Sequence, residues 1–381
     1  MQMYSKNRLG GMAAEGASSG GRLLSLDFLR GFTMVLLTLE SCRLYSNLEP
    51  VVKDGFLQPV LAEFFHHPWH GLHLWDLVQP VFMFAAGMAM AFSFDKQQRQ
   101  EMSWNQSFRK TLKRCGWLFF WGVLDYAVSK DGLALKLWDV LTQLSFTTLV
   151  TFLILKWRPR YQALVSLVCL AVPEILYRCT HIPNYDQPFV DQHNFGNYMD
   201  MVLMGRVNDG GWVAINCIST SAHTIWGAMA GQLLLNSKSS SIKVKWLVAS
   251  GIVLLALGFG LDWTGVTPII KRIATSSFVL ASGGWALLFL AFCYWWIDVR
   301  DHRRYLKLFV VFGMNSIFIY LFFEIVGDRW FTGYVFDITN PLFGYVRMPV
   351  AAALILGSLV VFALEAGMMG FLYRKKIFFK L

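Results

Sequence analysis

Charge is scarce in this chain. Only 15% of its 381 residues are Asp, Glu, Lys or Arg, against roughly 25% in an average soluble domain, which excludes an ordinary water-soluble globule. Cysteine is sparse as well. The six (Cys42, Cys115, Cys169, Cys179, Cys217 and Cys293) are scattered without a CxxC pair, so neither a zinc ribbon nor a thioredoxin-like centre is available. Most fall in apolar runs as small hydrophobes, and only Cys42 and Cys179 fall where pairing stays open. A GxGxxG turn and a Walker loop are absent, and the one GxSxG match, GASSG at 16–20, falls in a polar Gly- and Ser-rich tail, not between a strand and a helix, which removes the case for a soluble-type nucleotide or hydrolase site. Basic residues outnumber acidic ones for a net charge of +10, yet they form no stripe interleaved with aromatics, so nucleic acid is not an indicated partner.

What the chain has in abundance is apolar side chains. Hydrophobic residues make up 55%, with 32 Phe and 15 Trp, and mean hydropathy is +0.45. A helix needs about 20 apolar residues to cross the roughly 30 Å hydrocarbon core of a bilayer. Ten stretches meet or approach that length: 24–41, 71–94, 112–128, 138–155, 161–177, 213–235, 244–261, 273–297, 305–326 and 348–372. The pattern predicts an all-α integral membrane protein, a bundle of about ten transmembrane helices with both termini cytoplasmic. Residues 1–21, polar and rich in Gly and Ser, read as a disordered cytoplasmic tail without the apolar core of a cleaved signal peptide. Residues 22–381 read as one transmembrane domain.

Orientation follows from the basic residues. With the N-terminal tail inside, 23 Lys and Arg fall in the inner segments and 10 in the outer ones, in accord with the positive-inside rule. The longest outer loops run about 42–70 and 178–212. The second carries Asp186, Asp191, Asp200 and Asp209 among aromatics, which suits a cationic or sugar-like ligand as well as it suits a plain solvated loop.

Ionisable groups inside spans are costly and tend to face a cavity. Asp27 and Arg30 share a helix face in LSLDFLRGF, where they serve as a structural ion pair or, through the Arg30 fork, as a phosphate site at the inner face. The segment HHPWHGLHLWD (66–76) is the most unusual. Pro68 predicts a helix start there, with His70, His73 and Asp76 on successive turns. Three readings stay open on the residues alone: a histidine–carboxylate general base, a metal site without a recognised ligand spacing, and interfacial histidines without chemistry. Gln143, His223, Ser276, Ser277, Asn315, Ser316 and Glu324 are expected to bridge helices by hydrogen bonds. Lys271 and Arg272 stand out among sparse outer cations.

Four segments, RLLSLDFLRG (22–31), HHPWHGLHLWDLVQPVFMFAAG (66–87), FGMNSIFIYLFFE (312–324) and YRKKIFFKL (373–381), make the chain resemble the heparan-α-glucosaminide N-acetyltransferase family and its bacterial relatives. The resemblance implies a transmembrane acyltransferase domain that moves an acetyl group from cytoplasmic acetyl-CoA to an amino sugar across the membrane. It implies His66 and Asp76 as catalytic residues, and Arg30, Lys271, Asn315 and Ser316 around the donor. Ser41, Trp69, His70 and Asp200 are then candidates for the acceptor, and no metal is expected. The family's Leu-Gln-Arg reads Leu141, Thr142, Gln143, and its Gly-Tyr-x-Asp-Arg reads Asn197 to Met201, so the acceptor side departs from the pattern. The single Asn-x-Ser sequon, at Asn105, falls in an inner loop, which favours a bacterial inner membrane over a lysosome. The expected partners are an amino sugar or glycan and the lipid bilayer, and a homodimer is compatible with them. Two other functions fit the same residues, an amino-sugar permease and an O-acyltransferase of envelope glycans. The permease lacks the repeat symmetry common in transporters.

Overall fold

The computed structural model describes residues 23–127 and 135–379; the expected tail, 1–21, lies outside them. Among the described residues the regular structure is helical: α1 (Leu24–Ser41), α2 (Leu44–Val52), α3 (Gln58–Ala62), α4 (Val78–Arg99), α5 (Trp104–Ala127), α6 (Val140–Ile154), α7 (Pro159–Cys179), α8 (Phe195–Met204), α9 (Asn216–Leu235), α10 (Ser240–Trp263), α11 (Ser276–Cys293), α12 (Lys307–Met314), α13 (Ser316–Phe322), α14 (Thr332–Tyr345) and α15 (Val350–Arg374). Each of the ten expected segments overlaps a helix, though not always over its whole length. By length and apolarity, however, five qualify to cross a membrane, or six if the bent pair Lys307–Met314 and Ser316–Tyr345 is one span. The others fall short for visible reasons. Helix α6 has 15 residues, and α5 carries Arg109, Lys110, Lys113 and Arg114 in its first half.

Three helices turn apolar side chains outward. Leu164, Leu167 and Ile175 of α7, Ile252, Val253 and Leu257 of α10, and Val350, Leu359 and Leu364 of α15 are all exposed. A surface so apolar is tolerated in lipid and a liability in water. The interior is held by close helix contacts at small residues, as is usual where lipid and core are equally apolar. Gly87 of α4 meets the Thr224 carbonyl of α9, and Gly227 of α9 meets the Phe84 carbonyl of α4. Likewise Gly31 of α1 meets the Phe309 carbonyl of α12, and Gly313 meets that of Asp27. A methyl group at any of the four would collide with backbone that cannot yield. Polar bridges add to these contacts as expected: His223 pairs with Ser282 at 2.9 Å, and Gln79 donates to Gln143 at 2.8 Å.

Several expectations need correction. The helix does not start at Pro68. Residues 66–73 are irregular and bent, His70 forms an antiparallel bridge with Ile270, and Gly71 N–H donates to the Ile269 carbonyl at 2.9 Å. Gly71 sits at φ 148°, a conformation closed to most L-residues, so the chain turns there and a tight turn, Leu74–Leu77, opens the helix instead. His70, His73 and Asp76 therefore do not lie on successive helical turns.

The 305–326 span is likewise not straight. It bends by 78° at Asn315, whose φ of −123° and ψ of 35° leave the helical region. Beyond it the helix loosens into π geometry over Phe323–Phe331 and runs on to Tyr345, where a loop was expected. Nor is 178–212 simply a solvated loop, because it folds into α8 with Asn194, Asn197 and Asp200 buried. Cys42 and Cys179 are unpaired, the first buried and the second exposed.

Candidate active site

The non-helical 66–73 segment is tied to residues 269–270 by the His70–Ile270 bridge and the Gly71 N–H bond to Ile269, and that pairing joins residues 200 positions apart. It places Lys271 Nζ 3.2 Å from His66 Nδ1 and 3.6 Å from Asp76 Oδ1. Asp76 itself is buried, at 1% exposure. Its Oδ1 lies 2.9 Å from His66 Nδ1, while its Oδ2 accepts the backbone N–H groups of His67 at 3.2 Å and His73 at 3.0 Å. One carboxylate thus fixes the whole 66–76 turn. It also fixes a tautomer: a carboxylate at Nδ1 keeps the proton there and leaves the lone pair on Nε2.

The surroundings of the imidazole favour its neutral form. Burial is the main cause holding His66 below its ordinary value; Lys271 and Arg272 add to it, and Asp76 opposes. Burial also pushes Lys271 down to about 8, against the pull of Asp76. The indole of Trp212 packs edge-on to His66 at 5.7 Å and receives the Lys271 ammonium over its face at 5.4 Å, a cation–π contact that keeps the lysine in place.

His66 and Lys271 form one wall of a cavity of about 250 Å³. Met34, Val78 and Phe82 supply apolar lining, and Trp75, Trp138 and Trp212 aromatic faces. Four further carboxylates line it: Glu40 from α1, Asp125 from α5, Asp139 at the start of α6 and Glu324 from the π segment. Asp125 is paired with Arg329 at 2.9 Å. Asp139 caps α6 through Leu141 N–H at 2.7 Å and accepts the Tyr320 hydroxyl at 2.9 Å. The loosened helix around Glu324 is what brings that carboxylate and Arg329 to the same place.

The other residues singled out from sequence sit elsewhere. Arg30 donates to Ser316 Oγ at 2.5 Å. Asn315 donates to the Ile377 carbonyl and accepts from Phe379 N–H, both at 2.8 Å. These three gather at the helix break and its contact with the C-terminal segment, away from the cavity lining. Ser41 is buried outside the lining. Trp69 donates to the Phe189 carbonyl at 2.8 Å, and His70 pairs with Asp262 at 2.7 Å. Asp200, which burial pushes up to about 7 against its hydrogen bonds, accepts Trp138 Nε1–H at 2.9 Å and so positions a cavity indole. Among the described residues, no three His, Cys, Asp or Glu side chains gather as a metal site.

Residues 22–194 match the heparan-alpha-glucosaminide N-acetyltransferase catalytic family. The match supports kinship with that family over this segment. No curated protein matches the chain. The family description carries an acyltransferase activity, and the helical, outwardly apolar fold places that catalytic segment in a membrane protein. The matched segment supplies His66, Asp76, Glu40, Asp125 and Asp139. Lys271, Trp212 and Glu324 come from beyond residue 194 and complete the cavity. Sequence reading singled out His66 with Asp76, and Lys271 separately, but not the contact of Lys271 with that pair, and it passed over Asp125, Asp139 and Trp212. A usable signal existed in the carboxylates Glu40, Asp125, Asp139 and Glu324, which all fall at the expected outer end of their spans, the first, third, fourth and ninth.

Proposed function

We propose that this chain is a membrane N-acetyltransferase that moves an acetyl group from acetyl-CoA to the amine of glucosamine, or of a glucosamine-containing glycan, on the far side of a bacterial inner membrane. The observation that carries the reading is the His66–Asp76–Lys271 contact on a cavity wall, within and beside a segment of an N-acetyltransferase family. Bound acetyl-CoA supplies an acetyl group on a thioester. The cavity fits that end of the donor, since a histidine nitrogen and a cation converge on one polar wall.

An amino-sugar amine attacks only when unprotonated, and His66 Nε2, neutral at working pH, takes the proton that the amine sheds as its C–N bond forms. Asp76 holds the imidazole in the required tautomer and supports the imidazolium. His66 returns the proton to the sulfur that departs as the C–S bond breaks. Lys271, whose ammonium faces the same space, is positioned to stabilise negative charge developing on the carbonyl oxygen. Asn315, with its amide engaged by the C-terminal segment, is not available for that role.

The proposed orientation follows the charge asymmetry. Helix α4 begins beside Asp76 and carries Lys96 and Arg99 in its last turn, which puts the cations at the opposite end from His66. Incubating purified protein with acetyl-CoA and a panel of amino sugars, with mass spectrometry of the products, tests the proposal. Acetylated glucosamine is expected, and His66→Ala is expected to lower its formation by about 10²–10⁴-fold while the protein still binds acetyl-CoA. Full activity in His66→Ala overturns the assignment, and uptake of labelled glucosamine without acetylation supports a permease instead.

A further inference from the structure

A second cavity lies far from His66 in the chain. Helices α9 and α10 are joined by only four residues, Asn236 to Ser239, yet both line a space of about 670 Å³ that Leu287 of α11 and Pro159 of α7 also border. Its volume falls within the roughly 300–1,000 Å³ of sites that enclose most of a ligand. Along α10 the lining runs from Trp246 to Leu254 and is apolar apart from Ser250. That is about 12 Å of helix at 1.5 Å per residue, most of one leaflet of a core roughly 30 Å thick. Trp246 and Val253 are 56% and 55% exposed, so the space opens on a face that meets lipid. Hydrocarbon suits it.

The cation of the lining stands at one end. Asn236 and Lys238 border the cavity where the two helices join, on the inner side in the proposed orientation. Lys238 N–H donates to Asn236 Oδ1 at 3.2 Å, and the Lys238 ammonium stands over the Trp246 ring at 5.9 Å, a cation–π contact that keeps it at the groove. Among the described residues it has no carboxylate within ion-pair distance. The flanking sequence supplies none either: residues 156–161 and 236–246 carry six Lys and Arg and no Asp or Glu. Asp95, which borders an adjoining cavity with Asn236, is already paired with Arg99 at 2.9 Å. We propose that this groove binds an anionic phospholipid of the inner leaflet, its phosphate against Lys238 and the Asn236 amide and one acyl chain along α10 as far as Val253. Basic pockets between membrane helices on the cytoplasmic side take headgroups of this class. The site shares no lining residue with the His66 cavity, so it stands apart from the acyltransferase reading.

Native mass spectrometry of the full-length protein in detergent, titrated with phosphatidylglycerol or with phosphatidylcholine of the same chains, tests the proposal. The first phosphatidylglycerol should be held about fivefold more tightly than the first phosphatidylcholine, the scale of one basic residue at a membrane surface. Lys238→Glu should abolish that preference. Ser250→Trp, which places a large ring in the groove from an exposed position, should weaken the first binding event of both lipids, with melting temperatures showing that each variant is folded. Equal retention of the two lipids by the wild type, or a preference unchanged in both folded variants, overturns the proposal. So does a cross-link between two copies through a cysteine in place of Val253, since a second copy would then cover the groove. The wild-type ratio decides even if neither variant folds, and because no acetyl transfer is measured, its failure leaves the enzymatic reading untouched.

Discussion

Replacing Lys271 with methionine tests whether the lysine sets the protonation state of the base. Its Nζ stands 3.2 Å from His66 Nδ1, so an imidazolium there meets a like charge at close range. Two unit charges about 4 Å apart repel by about 4 kcal/mol at an effective dielectric of 20. The His66 side chain is 37% exposed, so solvent screening reduces that figure substantially. An effect of about one pH unit, equivalent to about 1.4 kcal/mol, is a reasonable remainder.

The sign is fixed by the geometry. Removing a positive charge makes protonation of His66 easier, so the base is lost at a higher pH and the acidic limb of kcat/KM moves upward by about one unit. Well below both limbs the variant should then lose about tenfold more than it does on the plateau above them. The wild type should also show an alkaline limb near 8, where Lys271 gives up its proton, and this limb should vanish in Lys271→Met. Lys271→Arg, which keeps the charge, should leave the acidic limb in place. The assay is the pH dependence of kcat/KM, which reports groups of the free enzyme. If Lys271→Met lowered the rate equally at every pH, the lysine would act on substrate or donor and not through His66.

Asp76→Asn should cost about 10²–10⁴-fold in acetyl transfer, because an amide donor facing Nδ1 moves the histidine proton to Nε2 and blocks the base. Its melting temperature should fall by an amount equivalent to about 1–3 kcal/mol as the bonds to His67 and His73 weaken, and activity near wild type would refute the tautomer argument. Gly71→Ala should destabilise by about 1–3 kcal/mol, since a methyl at φ 148° meets the His67 ring; an unchanged melting temperature would show that the turn is not required. For topology, a cysteine in place of Asp54 should react with an impermeant thiol reagent added outside, and one in place of Gln100 should not. The opposite pattern would invert the proposed orientation.

Composition alone determined that this is a membrane protein, because apolar content and charge depletion report the solvent without needing any contact. The helices were legible for the same reason, since a run of about 20 apolar residues is a local property. His66 with Asp76 was also within reach, being ten residues apart on one continuous segment. The start of that segment was misread, however, because Pro68 favours a helix locally while the His70–Ile270 bridge and the Gly71 N–H bond tie the chain to residues 269–270, two hundred positions away. The bend at Asn315 and the π segment after it were invisible in sequence for a related reason, as hydropathy does not distinguish a straight helix from a broken one. Above all, the contact of Lys271 with His66, and the shared cavity lining of Glu40, Asp125, Asp139 and Glu324, exist only through packing. Each carboxylate taken singly reads as the polar end of a span. Helix packing, closest at Gly31 and Gly313 and at Gly87 and Gly227, brings those ends to one cavity, which no local property of the sequence encodes.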